Sequence, residues 1–263
     1  MSESRTRLRT TFEEVPELYD RARPTYPSVL FDDLEELARL APEARVLEIG
    51  CGTGKATVAL AERGYRLTCV ELGAGLAAVA RRNLKGFEHV EVVTADFETW
   101  SAPAGSFDAV TAFSAFHWLD PETAYARCAK GLRPGGSLAV AGTQHVLPED
   151  GDPFFVEVQE DYAALVPEDD GRPPPRPDDV LAWAGEFYEN GLFGDVAVRR
   201  YVWDLTYTAA SYVDVLDTYS GHRALEPERR AELYRRIRRR IEARPGGTVC
   251  KTYLAILHVA RRS

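Results

Sequence analysis

The sequence predicts an α/β fold in which a mostly parallel sheet is covered by helices on both faces. Two observations support this prediction. Between residues 45 and 142, short apolar runs alternate with helical patterns, as expected for successive β–α units. The first apolar run also passes through a glycine-rich turn into a helix, an arrangement typical of nucleotide sites.

Five strands are predicted in this region from short runs of apolar residues bounded by turn residues. They are Val46–Ile49, Leu67–Val70, Val90–Val93, Phe107–Ala112 and Ser137–Ala141. The helical patterns begin at Pro27, at Lys55, near Leu76 and at Asp120-Pro121. Proline is well suited to the first position of a helix, and Asp120 is a good N-cap. The alternation therefore places strand ends and helix starts at one edge of the sheet.

The regular alternation stops after residue 142. Residues 143–178 are acidic and proline-rich, and helical patterns occupy 153–166, 178–190 and 226–243. Two further strands are predicted at 195–208 and 251–261. The prolines at 173–177 indicate either a polyproline segment that binds a partner or a stiff surface loop. The many arginines of 229–244 indicate a solvated helix face paired with acids, or else a face for an anionic substrate or nucleic acid.

Composition excludes several functional classes. The net charge of -9 over 263 residues argues against general affinity for nucleic acid. No apolar run approaches the ~20 residues of a membrane span, and the first residues lack the apolar core of a signal peptide. The four cysteines are too scattered for a zinc site. We therefore expect a cytoplasmic protein with reduced thiols, no metal and no membrane partner, whose oligomeric state the sequence does not indicate.

The glycine loop is the most informative motif. Gly50, Gly52 and Gly54 alternate directly after the first strand. The dinucleotide fingerprint G-x-G-x-x-G is not met, because Lys55 stands where its third glycine belongs. A phosphate-binding G-x-x-x-x-G-K-[ST] loop is absent as well. The loop therefore matches neither phosphate-binding pattern, and by itself it is either a ligand-binding loop of another kind or an ordinary glycine-rich turn between a strand and a helix.

Polar and aromatic residues follow the next three predicted strands. Glu71 ends the second strand, Asp96-Phe97 follows the third, and Phe113 to Trp118 follows the fourth. Ligands of parallel sheets bind outside the carboxyl ends of the strands. We therefore expect these residues to meet around one ligand.

Together, E-x-G-x-G-x-G at Glu48–Gly54, Glu71, D-F at Asp96 and F-H-W-L-D at Phe116 resemble the class I S-adenosylmethionine (SAM) methyltransferases. The Y-D-x-x-R-P-x-Y-P segment at Tyr19 is similar to the branch that includes trans-aconitate methyltransferase-like proteins. The resemblance implies a Rossmann-like, doubly wound, mostly parallel seven-stranded sheet with helical lid insertions. It also implies one domain over 1–263, with a core at about 30–142 and 195–263 and lid elements at about 1–29, 143–194 and 209–245.

The resemblance implies that SAM is the cofactor and S-adenosylhomocysteine (SAH) the product. The cofactor-binding residues that it implies come from the loop, the strand ends and the segment before the first long helix. They are Glu48, Gly50, Cys51, Gly52, Thr53, Gly54, Glu71, Leu72, Asp96, Phe97, Phe113, Tyr19 and Arg23.

The expected reaction is direct displacement, in which an O or N nucleophile (possibly C) of a small-molecule acceptor takes the methyl group. Ser114, Trp118 and Tyr26 are expected to contact this acceptor. His117 is either a general base, since its ordinary pKa lies close to neutrality, or a structural residue of the loop. The acceptor itself cannot be read from the sequence.

Three alternatives remain at this stage. An NAD(P)-dependent oxidoreductase is disfavoured by Lys55 and because no tyrosine has a lysine four residues later. A nucleic-acid methyltransferase acting on exocyclic amines would have an [N/D]-P-P-[Y/F] motif where this chain has Ser114 to His117. A non-catalytic SAM-binding module would keep the glycine loop without needing an acceptor pocket.

Overall fold

The computed structural model describes residues 14–166, 171–182, 187 and 191–263. Within these residues, seven strands form one sheet in the order β3-β2-β1-β4-β5-β7-β6. The strands are β1 Arg45–Ile49, β2 Arg66–Glu71, β3 Val90–Thr94, β4 Phe107–Phe113, β5 Leu132–Val146, β6 Phe193–Thr208 and β7 Thr248–Arg262. Strands β1 to β5 pair in parallel, whereas β7 runs antiparallel to both β5 and β6. The predicted fold class is confirmed.

Helices cover both faces of the sheet. The helices of the described residues are α1 Pro16–Ala22, α2 Ser28–Ala38, α3 Lys55–Glu62, α4 Ala74–Asn83, α5 Pro121–Gly131, α6 Phe154–Glu157, α7 Gln159–Leu165, α8 Ala209–Leu216, α9 Ser220–Arg223 and α10 Pro227–Glu242. Leu30 and Leu34 of α2 belong to the core cluster on one face. Tyr125 and Cys128 of α5 belong to the cluster on the other. Because both faces are covered, the parallel strands read as nearly continuous apolar runs.

Some local predictions differ from the structure. Pro27 is the N-cap of α2 rather than its first residue, and the short helix α1 was not predicted. Strand β5 begins at Leu132 rather than at the predicted Ser137: Phe107 of β4 pairs with Leu132, and regular pairing resumes at Ser137 after an irregularity. The predicted helix 178–190 lies mostly outside the described residues; a 3-10 turn spans Pro177–Asp179. The four cysteines form no disulfide.

The arginine-rich helix α10 makes the ion pairs that its composition predicted. Glu232 accepts from Arg235 at 2.6 Å and from Arg236 at 2.8 Å. Arg240 pairs with the buried Asp161 and lies 2.9 Å from Glu160. The apolar stripe of Leu233, Ile237 and Ile241 faces the core. Within the described residues, no helix combines the length and apolarity that crossing a membrane requires.

The strands of the antiparallel half extend well beyond the parallel half. Strand β4 ends its pairing with Phe113 opposite Ala141. Strand β5 continues to Val146, which pairs with Thr252 of β7, and β7 pairs with β6 as far as Thr248 opposite Thr208. We call this extension, residues 142–146, 200–208 and 248–256, the overhang. It projects past the edge where the glycine loop lies.

Candidate active site

The glycine loop has the conformation that its composition requires. Gly50, Gly52 and Gly54 have φ of 64°, 58° and 90°, in the left-handed region that L side chains avoid. A Cβ atom added to Gly50 would lie 2.6 Å from Cβ of Ala115, which follows β4. The loop therefore combines left-handed backbone with a close approach to the next strand end, and glycine satisfies both.

Glu71 joins the glycine loop to the end of β2. Its carboxylate accepts a hydrogen bond from the Gly52 amide at 2.8 Å and another from the Gly73 amide at 2.8 Å. The side chain is only 7% exposed. Charge-assisted bonds of this kind are stronger than neutral ones. Glu71 therefore fixes the relative position of two loops at the carboxyl edge of the sheet.

Two cavities open at this edge. The smaller one, a cleft of about 100 Å³, lies over the ends of β1, β2 and β4 and includes Glu71 and Leu72. The larger cavity, of about 840 Å³, lies between the glycine loop, α1 and the overhang. Five residues line both: Tyr19, Gly50, Gly52, Phe113 and Ser114. The cleft and the cavity therefore meet at the glycine loop.

The N-terminal segment covers this junction. The Arg82 guanidinium binds the Glu17 carboxylate of α1 at 2.6 and 2.8 Å. Arg23 donates to the Thr218 carbonyl at 2.9 Å, and its guanidinium lies 4.2 Å from the ring centroid of Tyr219. Tyr26 and Ser114 share a hydrogen bond between their hydroxyls at 2.8 Å. The segment is thus held from both sides, by α4 and by the loop after α8.

Glu48 contributes a buried acid to the larger cavity. Its side chain is 1% exposed, and its carboxyl oxygen lies 3.9 Å from the Cys69 sulfur. Burial raises the pKa of Glu48 to about 7, with a smaller contribution from the charge of Glu71. The carboxyl group is therefore poised between its neutral and charged forms near pH 7.

Most of the remaining predicted residues lie at these cavities, but some lie elsewhere than expected. Leu72, Phe97 and Trp118 line the cleft. Trp118 was expected to contact the acceptor, and it lies instead in the cleft where the cofactor is expected.

The other predicted residues of the glycine loop and of the loop after β3 lie close by. Cys51 and Thr53 line the larger cavity. Gly54 packs against Leu84. Asp96 lies between the lining residues Ala95 and Phe97, and its carboxylate accepts from the Glu98 amide at 3.0 Å.

His117 is not placed as a base would require. Residues Phe116–Trp118 form a single 3-10 turn, in which successive side chains point in different directions. Phe116 is buried and Trp118 is partly buried, while His117 is exposed and is absent from the lining of both cavities. Its ring packs beside Trp118, with 4.8 Å between the ring centroids. This placement gives no support to contact between His117 and an acceptor in the larger cavity.

The amino-acid sequence of this chain is similar to those of known methyltransferases. Residues 47–140 match the family described as a methyltransferase domain. Residues 47–140 are therefore similar to a methyltransferase domain. An uncharacterised methyltransferase of Mycobacterium bovis is 34% identical over 140 residues, which are 53% of this chain and 55% of that protein. The trans-aconitate 2-methyltransferase of Deinococcus radiodurans is 36% identical over 109 residues, 41% of each chain.

A solved structure extends the similarity to the fold of the whole chain. The phosphoethanolamine N-methyltransferase 2 of Haemonchus contortus, in complex with phosphomonomethylethanolamine and S-adenosylhomocysteine, aligns with a TM-score of 0.57 and 15% identity. The alignment covers 100% of this chain and 60% of that one. By sequence, the chain spans about half the length of the curated relatives it matches. The family match thus covers residues 47–140, and the structural match shows a shared fold.

The far wall of the larger cavity was not found from the sequence. It comes from the overhang and from the segments after β5 and α8, and it includes His145, Arg172, Tyr219, His222 and Lys251. These residues lie outside the methyltransferase-domain match and belong to no motif. One signal was present, because Lys251 lies in a strand whose other residues are largely apolar.

Replacing Gly50 with alanine tests the close approach of the loop to Ala115. We expect Gly50→Ala to lower the free energy of unfolding by roughly 2–5 kcal/mol, measured by urea denaturation, because it combines left-handed strain with overlap. Gly64→Ala is the control, since Gly64 has φ of 81° with nothing within 4 Å of an added Cβ. Gly64→Ala should lower the free energy of unfolding only by the cost of left-handed backbone, about 1–2 kcal/mol. Equal losses in the two variants would contradict a steric role for Ala115.

Glu48→Gln tests the effect of burying a carboxyl group. Because the folded-state pKa of about 7 exceeds the ordinary value of 4.5, the folded protein holds its proton more tightly than the unfolded chain between these values. Stability should therefore fall as the pH rises from about 4.5 to 7, by up to about 3 kcal/mol. Denaturation of Glu48→Gln at pH 5 and 8 should lack this decrease. Glu91→Gln, at an exposed position of β3, is the control, and an unchanged pH profile in Glu48→Gln would refute the assignment.

Proposed function

We propose that this chain is a SAM-dependent methyltransferase acting on a small molecule bound in the larger cavity. The observation that carries the proposal is the junction of the cleft and the cavity at the glycine loop, where both share Tyr19, Gly50 and Ser114. A methyl donor in the cleft would present its reactive group to an acceptor in the cavity. The cavity of about 840 Å³ lies within the usual range for small-molecule sites.

The residues of the cleft fit the nucleoside part of SAM. Glu71 offers a carboxylate at the end of β2, where parallel-sheet nucleotide sites bind ribose hydroxyls. Leu72 and Phe97 provide an apolar lining suited to a flat base. The left-handed glycines bring the backbone close to any ligand above the loop. The match to the methyltransferase family and the SAH complex of the Haemonchus contortus protein support this assignment.

The proposed reaction is direct displacement. SAM supplies an electrophilic methyl group carried on a sulfonium. A lone pair of the acceptor O or N (possibly C) forms the new bond to the methyl carbon, while the carbon–sulfur bond breaks and its electrons remain on sulfur. The protein aligns the nucleophile and excludes water. For this role, α1 and Tyr26 would act as a lid, since Tyr19 and Arg23 close the cavity above the loop.

Two alternative functions, a non-catalytic SAM-binding module and an oxidoreductase, are less well supported. A non-catalytic SAM-binding module has no need for a second cavity continuous with the cofactor cleft, and this chain has one. An oxidoreductase is disfavoured by the match to methyltransferases. The acceptor and the methylated atom are not specified by the cleft, which recognises the donor alone.

Glu71→Ala tests the cofactor site. Calorimetry with the wild-type protein should show binding of SAM and SAH in preference to NAD and NADP. Glu71→Ala should weaken SAH binding by about 1–3 kcal/mol, because a buried charge-assisted acceptor is lost. Asp96→Ala is the comparison, and its smaller effect would place Glu71 at the centre of recognition. Preferential binding of NAD by the wild type would refute the proposed function.

The two histidines His117 and His222 test where the acceptor binds. We expect His117→Ala to keep turnover within about threefold of wild type, because its ring lies outside both cavities. We expect His222→Ala to reduce turnover at least about tenfold, because it lines the larger cavity. Labelled SAM and a metabolite panel would identify an acceptor for this comparison. A loss of ~10²-fold in His117→Ala, with normal SAH affinity, would restore the general-base role.

A further inference from the structure

A buried lysine forms part of the far wall of the larger cavity. Lys251 is 2% exposed and lies in the overhang, near the start of β7. Its ammonium donates a hydrogen bond to the Tyr219 hydroxyl at 3.0 Å. The rings of Tyr253, Tyr219 and Tyr212 surround it, with centroids at 4.9, 5.1 and 5.7 Å. These rings solvate the cation partly, through cation–π attraction.

No carboxylate pairs with Lys251 among the residues that the structure describes. Acids on the surrounding elements are bound to other groups. Asp152 pairs with Arg244 at 2.5 Å, Asp217 with Arg223 at 3.3 Å, and Asp204 accepts from Thr252 at 2.6 Å. Lysines are almost never fully buried unless they are paired. A buried, unpaired ammonium is therefore costly for the fold and calls for a ligand as its partner.

A second cation lies on the other side of Tyr219. The Arg23 guanidinium is 4.2 Å from the Tyr219 ring centroid and 5.2 Å from that of Tyr19. Its Nε is buried and has no hydrogen-bond partner in the described part of the chain. Lys251 and Arg23 together lower the pKa of the Tyr219 hydroxyl against the effect of its burial. The field at this end of the cavity thus favours negative charge.

The neighbouring histidines add polar groups without adding charge. Burial and the charge of Lys251 lower the pKa of His145 to about 2 and of His222 to about 4. Both rings are therefore neutral at pH 7. His145 Nε2 and His222 Nδ1 are buried without hydrogen-bond partners within the described residues. They are available to a ligand that enters the cavity.

The charges that line the cavity are unequal. Its described lining contains four cationic side chains, Arg23, Lys55, Arg172 and Lys251, and a single acid, Glu48. Glu48 lies at the end of β1 beside the glycine loop, whereas Lys251 is on the overhang. A ligand with a negative group directed toward Lys251 would match this distribution.

We propose that the acceptor is an organic oxyanion, a carboxylate or a phosphate, whose charged oxygens bind Lys251 and Arg23 at the Tyr219 end of the cavity. The proposal rests on the proposed function and names the class of its substrate. Lys251 then determines specificity: its unmatched charge in the free protein is neutralised when an anionic acceptor binds. A neutral acceptor of the same shape would leave the ammonium buried and unpaired.

The test compares probes that differ in charge. The full chain, saturated with SAH, is titrated with phenylacetate, phenyl phosphate and the neutral phenylacetamide, and binding is followed by ligand-observed NMR. We expect at least one anion to bind about tenfold or more tightly than the amide. The preferred anion decides between carboxylate and phosphate. Equal affinity for the anions and the amide, or no binding of either anion, would overturn the proposal.

The variant Lys251→Met tests whether the Lys251 ammonium is the group that binds the anionic probe. We expect it to abolish the preference for the anion while leaving the affinity for phenylacetamide unchanged. Lys85→Met is the matched control, because Lys85 is exposed and belongs to neither cavity. Should Lys251→Met fail to fold, Lys251→Gln is measured instead, with the same expectation. Retention of anion preference in the folded variant would overturn the proposal.

The same samples separate this inference from the proposed function. SAH affinity is measured by calorimetry for each protein before the probes are added. Failure of the wild type to bind SAH refutes the proposed function itself. Normal SAH binding with equal affinity for the anions and the amide refutes only the inference that the acceptor is an anion.

Discussion

The candidate site depends on one carboxylate that binds two backbone amides. Glu71 accepts hydrogen bonds from Gly52 and Gly73, and so joins the loop after β1 to the loop after β2. Without it, the glycine loop would have left-handed backbone and few side chains to hold it in place. Because Glu71 also lines the cleft, the acid that stabilises the loop is the same acid that a ribose would meet. Under the proposed function, stability and cofactor recognition are therefore coupled at this residue.

The parallel half of the fold was predictable because its signals are local. Each strand is an apolar run bounded by turn residues. The three alternating glycines indicate a sharp turn after β1, and all three have left-handed backbone in the structure. Glu71, Phe97 and Phe113 could be placed at the site because all carboxyl ends of parallel strands share one edge. The short helix α1 gave no comparable signal. It has seven residues, none of them buried, and is held by ion pairs such as that of Glu17 with Arg82.

The far wall was not predictable from local pattern, since its residues come singly from distant segments. Tyr219 follows α8 and Lys251 lies on β7, and neither has a neighbour in sequence that indicates a ligand. His117 is the opposite case, because its signal is local but the structure places it outside both cavities. Its type and its place after β4 suggested chemistry, but a 3-10 turn directs its ring outward. In such a turn, a shift of one residue changes the direction of the side chain, and sequence position alone does not determine it.

The overhang and the glycine loop form different walls of the larger cavity. The sequence match to methyltransferases covers residues 47–140 and ends just before the overhang begins. The three strands of the overhang line the cavity with Thr143, Gln144, His145, Trp203, Lys251 and Tyr253. Exchanging these side chains would alter the wall of the proposed acceptor site without disturbing the backbone of the glycine loop. Because the two proposed sites are built from separate segments, the sequence of one can change while that of the other is kept.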